Sequence, residues 1–97
     1  MATYPVGTAS VSWVDSASVQ HVQVFWTDGY TIKNRRFDGS AWNDGNFVAK
    51  GSDISACHWQ QGGADHLRVY CTNEDQITEW CSDDGGNNWY TGAFTLS

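Results

Sequence analysis

Three arginines serve the whole chain: Arg35, Arg36 and Arg68. Arg68 stands inside an alternating apolar run, HLRVY (66–70), and Glu79 follows eleven positions later in ITEW (77–80). A guanidinium beside a carboxylate sets donors and acceptors side by side, the pattern that vicinal hydroxyls and a ring oxygen require. The same pair is poorly placed for acid catalysis, because a neighbouring guanidinium keeps a carboxylate ionised. A hydrolase would need a second carboxylate at a suitable separation, or an arginine cluster with a nucleophilic tyrosine. The plain alternative is an exposed cross-strand ion pair of little energetic worth.

Whether the two residues meet depends on the elements that carry them. The segment HVQVFWTDGYTIKNRRFDGSAWNDGNF (21–47) lies over HLRVYCTNEDQITEWCSDDGGNNWYTGAF (66–94) at a spacing of 45 residues. Two extra residues then enter, so that Trp42 matches Trp89 and Phe47 matches Phe94. Each copy is preceded by a tryptophan-containing segment, SVSWV (10–14) and SACHW (55–59). The chain is thus two copies of one unit, about 10–53 and about 54–97, within a single small domain.

Each unit reads as short strands divided by turn signals. Asp28-Gly29 is a two-residue hairpin signal, and a loop there makes positions summing to 57 face one another, Gln23 across from Asn34. Carried to the second copy, with Asn73-Glu74 at the tip, the same register sets Arg68 across from Glu79. A second turn follows each hairpin, FDGSAW (37–42) and SDDGGNNW (82–89). The latter carries the Asp-box pattern through Ser82, Asp84, Gly86 and Trp89, a motif that joins the third and fourth strands of a blade in sialidase-like propellers. Four short strands per repeat predict an all-β chain of two propeller blades. Two blades cannot close a ring, and three chains would give six.

Composition narrows the partners. Five Lys and Arg against eleven Asp and Glu give a formal charge of −6, which argues against nucleic acid and anionic membrane. No run has the length of a signal peptide or a membrane span, so the expectation is a soluble protein, cytoplasmic or released by a non-classical route. Cys57, Cys71 and Cys81 lack metal-like spacing and read as buried free thiols. The acidic turn lacks the full calcium-loop ligand set, so no metal or other cofactor is expected. His21 and His66 hold matching positions and are expected to share a structural role. KNRR (33–36) is expected to be a solvated strand face, and Trp13, Trp26, Trp59 and Trp80 to pack between blades.

At HLRVY, ITEW and NNWYTGAF the sequence resembles the fucose-binding propeller lectins, the fungal fucose lectin family with its small two-blade relatives. The resemblance covers nearly the whole chain. It implies a six-bladed homotrimer that binds fucosylated glycans between adjacent blades without metal or catalysis. An arginine and a glutamate come from one blade and aromatic residues from the next. By that resemblance Arg68, Glu79 and Ala93, with Phe37 and Trp42 of a neighbouring copy, form the main site. Gln23, Asn34 and Asn46, with Ser82 and Trp89, form a weaker one within the chain. Tryptophan faces suit the apolar face of a sugar ring. The rival readings are a glycosidase or sialidase built on the same propeller, and a lectin for another sugar.

Overall fold

A computed structural model of the chain describes residues 4–96; residues 1–3 and 97, the ends of the expected two-blade unit, lie outside the described residues. The described residues form eight strands and no helix: β1 (Gly7–Val14), β2 (Gln20–Thr27), β3 (Thr31–Asp38), β4 (Trp42–Lys50), β5 (Asp53–Gln61), β6 (Ala64–Asn73), β7 (Gln76–Ser82) and β8 (Tyr90–Thr91). They make two four-stranded antiparallel meanders, β1-β2-β3-β4 and β5-β6-β7-β8. Alternation of apolar and polar residues suits strands with one buried face.

The hairpin tips correct the expected register. Asp28 N donates to Thr31 O, so the two-residue loop is Gly29-Tyr30 rather than Asp28-Gly29. The Asp28 carboxylate explains the shift, because its Oδ1 accepts from both Tyr30 N and Thr31 N at 2.9 Å and fixes Asp28 as the turn's first residue. Gly29 takes φ +98°, and its counterpart Glu74 takes φ +59°. In the second hairpin Asn73 pairs with Gln76, which puts Glu74-Asp75 at the tip in place of Asn73-Glu74. Gln23 therefore faces Arg36 and Asn34 faces Phe25. Likewise Arg68 faces Cys81, and Glu79 faces Tyr70. A slip of two residues leaves every side chain on its expected face, so Arg68 and Glu79 remain diagonal neighbours on one face.

The core lies between the two sheets. Val11, Trp13, Phe25, Ile32, Phe47 and Ala49 of the first meet Leu67, Val69 and Cys71 of the second, with Trp80 and Trp89 packed against them. Burying a large apolar side chain of this kind contributes about 1.5–3 kcal/mol. Phe47 is the hub, edge-on to Phe25, Trp80 and Trp89 at centroid distances of 5.3, 5.9 and 4.8 Å. Trp13 is stacked between His21 and His58, at 5.1 and 4.5 Å. Trp13 and Trp80 thus pack between the sheets as expected, whereas Trp59 lies 38% exposed on the opposite side of the second sheet. Cys71 and Cys81 are buried free thiols and Cys57 is an exposed one.

Candidate functional site

The face of the second sheet turned away from the core carries Trp59 from β5, Arg68 and Tyr70 from β6, and Glu79 and Cys81 from β7. The Arg68 guanidinium carbon lies 4.8 Å from the centre of the Trp59 ring, a cation–π arrangement. Its Nη1 donates to Leu67 O (2.9 Å), Ser82 O (3.4 Å) and Asp83 Oδ1 (3.2 Å). Among the described residues these are the only hydrogen bonds the guanidinium makes, so its Nε and Nη2 are unused. Asp83 is anchored in turn, accepting from His66 Nδ1 at 2.6 Å and from the Tyr90 hydroxyl. Donation by Tyr90, then by His66 and Arg68, holds the Asp83 carboxyl down to about 2.

Glu79 has its own partners. Oε2 accepts from the Tyr70 hydroxyl at 2.7 Å and Oε1 from Phe94 N at 3.1 Å. The Tyr70 hydroxyl bond and the Phe94 amide keep the Glu79 carboxyl below its usual range. The same bond pushes the Tyr70 phenol up to about 12. Near neutral pH the pair is an ionised acceptor and a neutral donor. Gly92 N donates to Glu79 O at 2.8 Å, and a Cβ at Gly92 would overlap the Glu79 carboxylate. This close approach places Ala93 beside the carboxylate. The ion pair expected between Arg68 and Glu79 is absent among the described residues; the arginine's partner is Asp83. The physical reason is the register, which sets Tyr70 directly opposite Glu79.

The matching face of the first sheet is arranged differently. Gln23, counterpart of Arg68, is fully buried, and Asn34, counterpart of Glu79, is 3% exposed. Asn34 Nδ2 donates to Gln23 Oε1 at 3.0 Å, and its Oδ1 accepts from Phe47 N at 3.1 Å, much as Glu79 accepts from Phe94. Gln23 Nε2 then donates to Gly85 O at 3.0 Å. Arg36 Nη1 donates to Gly86 O and Asn87 Oδ1, and its Nη2 to Gly85 O. Asn46 Nδ2 donates to Asn87 O at 2.8 Å. Three side chains of the first sheet, Gln23, Arg36 and Asn46, therefore grip the main chain of the β7–β8 turn, and Asn34 braces Gln23. Ser82 Oγ is engaged within that turn, donating to Asp84 Oδ1 and accepting from Gly86 N, both at 2.8 Å. Trp89 packs on Phe25 and Phe47, and its indole N–H is buried without a partner among the described residues.

The structure thus brings Gln23, Asn34, Asn46, Ser82 and Trp89 together, but around a protein turn. Arg68, Glu79 and Ala93 form a second, open constellation. Phe37 and Trp42 pair across β3 and β4 with ring centroids 5.7 Å apart. They sit on the first sheet's outer face, so they do not meet Arg68 within one chain. Sequence reasoning missed Tyr70, Asp83 and Trp59 as neighbours of Arg68 and Glu79, and Arg36 as a holder of the turn. A signal for Asp83 was available: His21–Asp38 and His66–Asp83 recur at a spacing of 17 residues in the two copies. KNRR is half solvated, with Lys33 and Arg35 outside and Asn34 and Arg36 engaged. Among the described residues no group of three or more His, Cys, Asp or Glu side chains could hold a metal ion.

A search of the curated proteins finds no match to the chain. The family model described as fungal fucose-specific lectin matches residues 2–97, nearly the full sequence, and the chain belongs to that family.

Proposed function

We propose that the protein is a metal-independent, non-catalytic lectin for L-fucose-containing glycans, with one working site per chain at the boundary between copies. The observation that carries the reading is the open Arg68–Glu79 face, with the Nε and Nη2 donors and a doubly anchored carboxylate unclaimed by one another. A sugar can bridge the two, one hydroxyl accepting from Arg68 while another donates to Glu79. Phe37 and Trp42 of a neighbouring copy supply the aromatic wall for the apolar ring face and the C6 methyl. Family membership supports the choice of fucose.

Ring closure follows from repetition. The first sheet's inner face packs on the second sheet's inner face within the chain. The remaining two faces are the same two surfaces of the repeat, so one copy's second sheet can receive the next copy's first. Three chains would give six blades and three sites, arranged so that several can engage one glycan surface together.

Calorimetric titration with methyl α-L-fucoside, alongside a sedimentation mass, tests this. One sugar per chain on a trimer is expected. Two per chain would mean that Gln23 and Asn34 still bind, and no binding at all would sink the fucose reading.

A further inference from the structure

Arg68 and Glu79 carry opposite charges and lie diagonally on adjacent strands, within reach of each other. Left to themselves they would close into an ion pair, and a neutral ligand would have to break it. They do not pair, because each is held elsewhere. Arg68 is held through Nη1 alone, by Asp83 and two main-chain carbonyls, with its guanidinium carbon over the Trp59 ring. Glu79 is held by Tyr70 and the Phe94 amide. Of the Arg68 anchors only Asp83 is charged, and only Asp83 competes with Glu79 for the guanidinium.

We propose that Asp83 is a positioning residue of the binding site, drawing the Arg68 guanidinium off Glu79 so that its Nε–Nη2 edge and the Glu79 carboxylate stay separately available to a bridging ligand. His66 and Tyr90 serve as its supports, fixing both carboxylate oxygens. The first copy retains the device without the site: Asp38, counterpart of Asp83, accepts from Arg36 Nε at 2.8 Å and from His21 Nδ1 at 2.7 Å. There the aligned guanidinium belongs to the residue that grips the β7–β8 turn. In both copies an Asp at this position, braced by a histidine, orients an arginine toward the blade boundary.

The test has two readouts on Asp83→Ala, only the second of which rests on the fucoside reading. Arginine side-chain NMR, with Arg68 assigned through Arg68→Lys, should give distinct Nη signals in the unmodified protein and shifted ones in the variant, where the guanidinium turns to Glu79. Unchanged Arg68 signals would overturn the proposal whether or not the protein binds sugar. Should the unmodified protein fail to bind methyl α-L-fucoside, the functional reading falls and the NMR readout still decides this one. In titration, Asp83→Ala should weaken binding about tenfold, as expected for loss of one charge-assisted contact. Part of that loss should return between low and molar salt, because screening weakens the newly formed Arg68–Glu79 pair. The unmodified protein should be insensitive to salt, its ligand being neutral. A loss that salt does not relieve would make Asp83 merely structural and overturn the proposal. Asp83→Asn, which keeps the shape should the alanine variant fold poorly, is expected to show a smaller loss with the same salt response.

Discussion

The two copies of the repeat share a backbone register and differ in what their matching positions do. Gln23, Asn34, Arg36 and Asn46 in the first copy correspond to Arg68, Glu79, Cys81 and Ala93 in the second. The first set is uncharged at its centre and, apart from Asn34, which braces Gln23, is spent on the main chain of residues 85–87. The second is charged at its centre, small at its edge and left open. The lengths of the turns agree with this division. Four residues separate Phe37 from Trp42 and six separate Ser82 from Trp89, and the longer turn is the one that fills the boundary inside the chain. One boundary has become glue and the other remains a candidate site, through coordinated change at four positions and one loop.

The sharpest way to break this comparison is to truncate the two central residues in parallel. Arg68→Ala should abolish binding of methyl α-L-fucoside in titration while leaving the thermal midpoint nearly unchanged. Gln23→Ala should leave sugar affinity intact and cost about 1–3 kcal/mol of stability in denaturant unfolding, because Asn34 and Gly85 O lose a buried partner. If Arg68→Ala bound within threefold of the parent, the site assignment would be wrong.

A smaller effect probes the filled boundary alone. Gly86 has φ +89°, and a Cβ there would overlap the Gln23 amide. Gly86→Ala should lower stability by about 2 kcal/mol without altering the number of sugars bound per chain. A rise in that number would mean that the turn had been masking a competent site.

The subtlest effect separates the copies by pH. Burial works against the charged form of His21, yet Asp15 and Asp38 outweigh it and raise its pKa. Its stabilisation is therefore present below the ordinary histidine value and lost as pH rises through the raised one. Asp83 lies at about 2, so its contribution is present above the ordinary carboxylate value near 3.8 and lost as pH falls toward 2. Thermal midpoints of His21→Asn should depart from the parent mainly on the acid side of neutrality, and those of Asp83→Asn mainly above about pH 4. Coincident profiles for the two variants would remove the distinction.

Much of this was legible in the residues themselves. Side-chain faces follow from alternation, and a slip of two positions preserves them, so Arg68 and Glu79 were placed on one face despite a misjudged turn, whereas Ala93 was reached only through the resemblance. The misjudgement came from Asp28, whose carboxylate competes for the turn amides; a dipeptide signal does not say which side of Gly29 the loop occupies. The filled boundary was harder to see. Loss of charge at Gln23 and Asn34 was plain, but the occupant comes from residues 85–87, and only tertiary packing brings a loop to a position so remote in sequence. Tyr70 read as one more strand aromatic, although replacement of Phe25 by a phenol in the second copy marks a place where a carboxylate needs a donor.

The gripped turn also bears on the order of assembly. Gln23 meets Gly85 across 62 positions and Arg36 meets Gly86 across 50, whereas the hairpins close between near neighbours. Local hairpins form early because they close short loops, so these distant contacts belong to the last stage, when the finished sheets dock. Interactions absent from the folding transition state act on escape from the native state rather than on arrival. The turn therefore sets how long a chain keeps its two sheets together once formed, and with that the lifetime of any ring built from it.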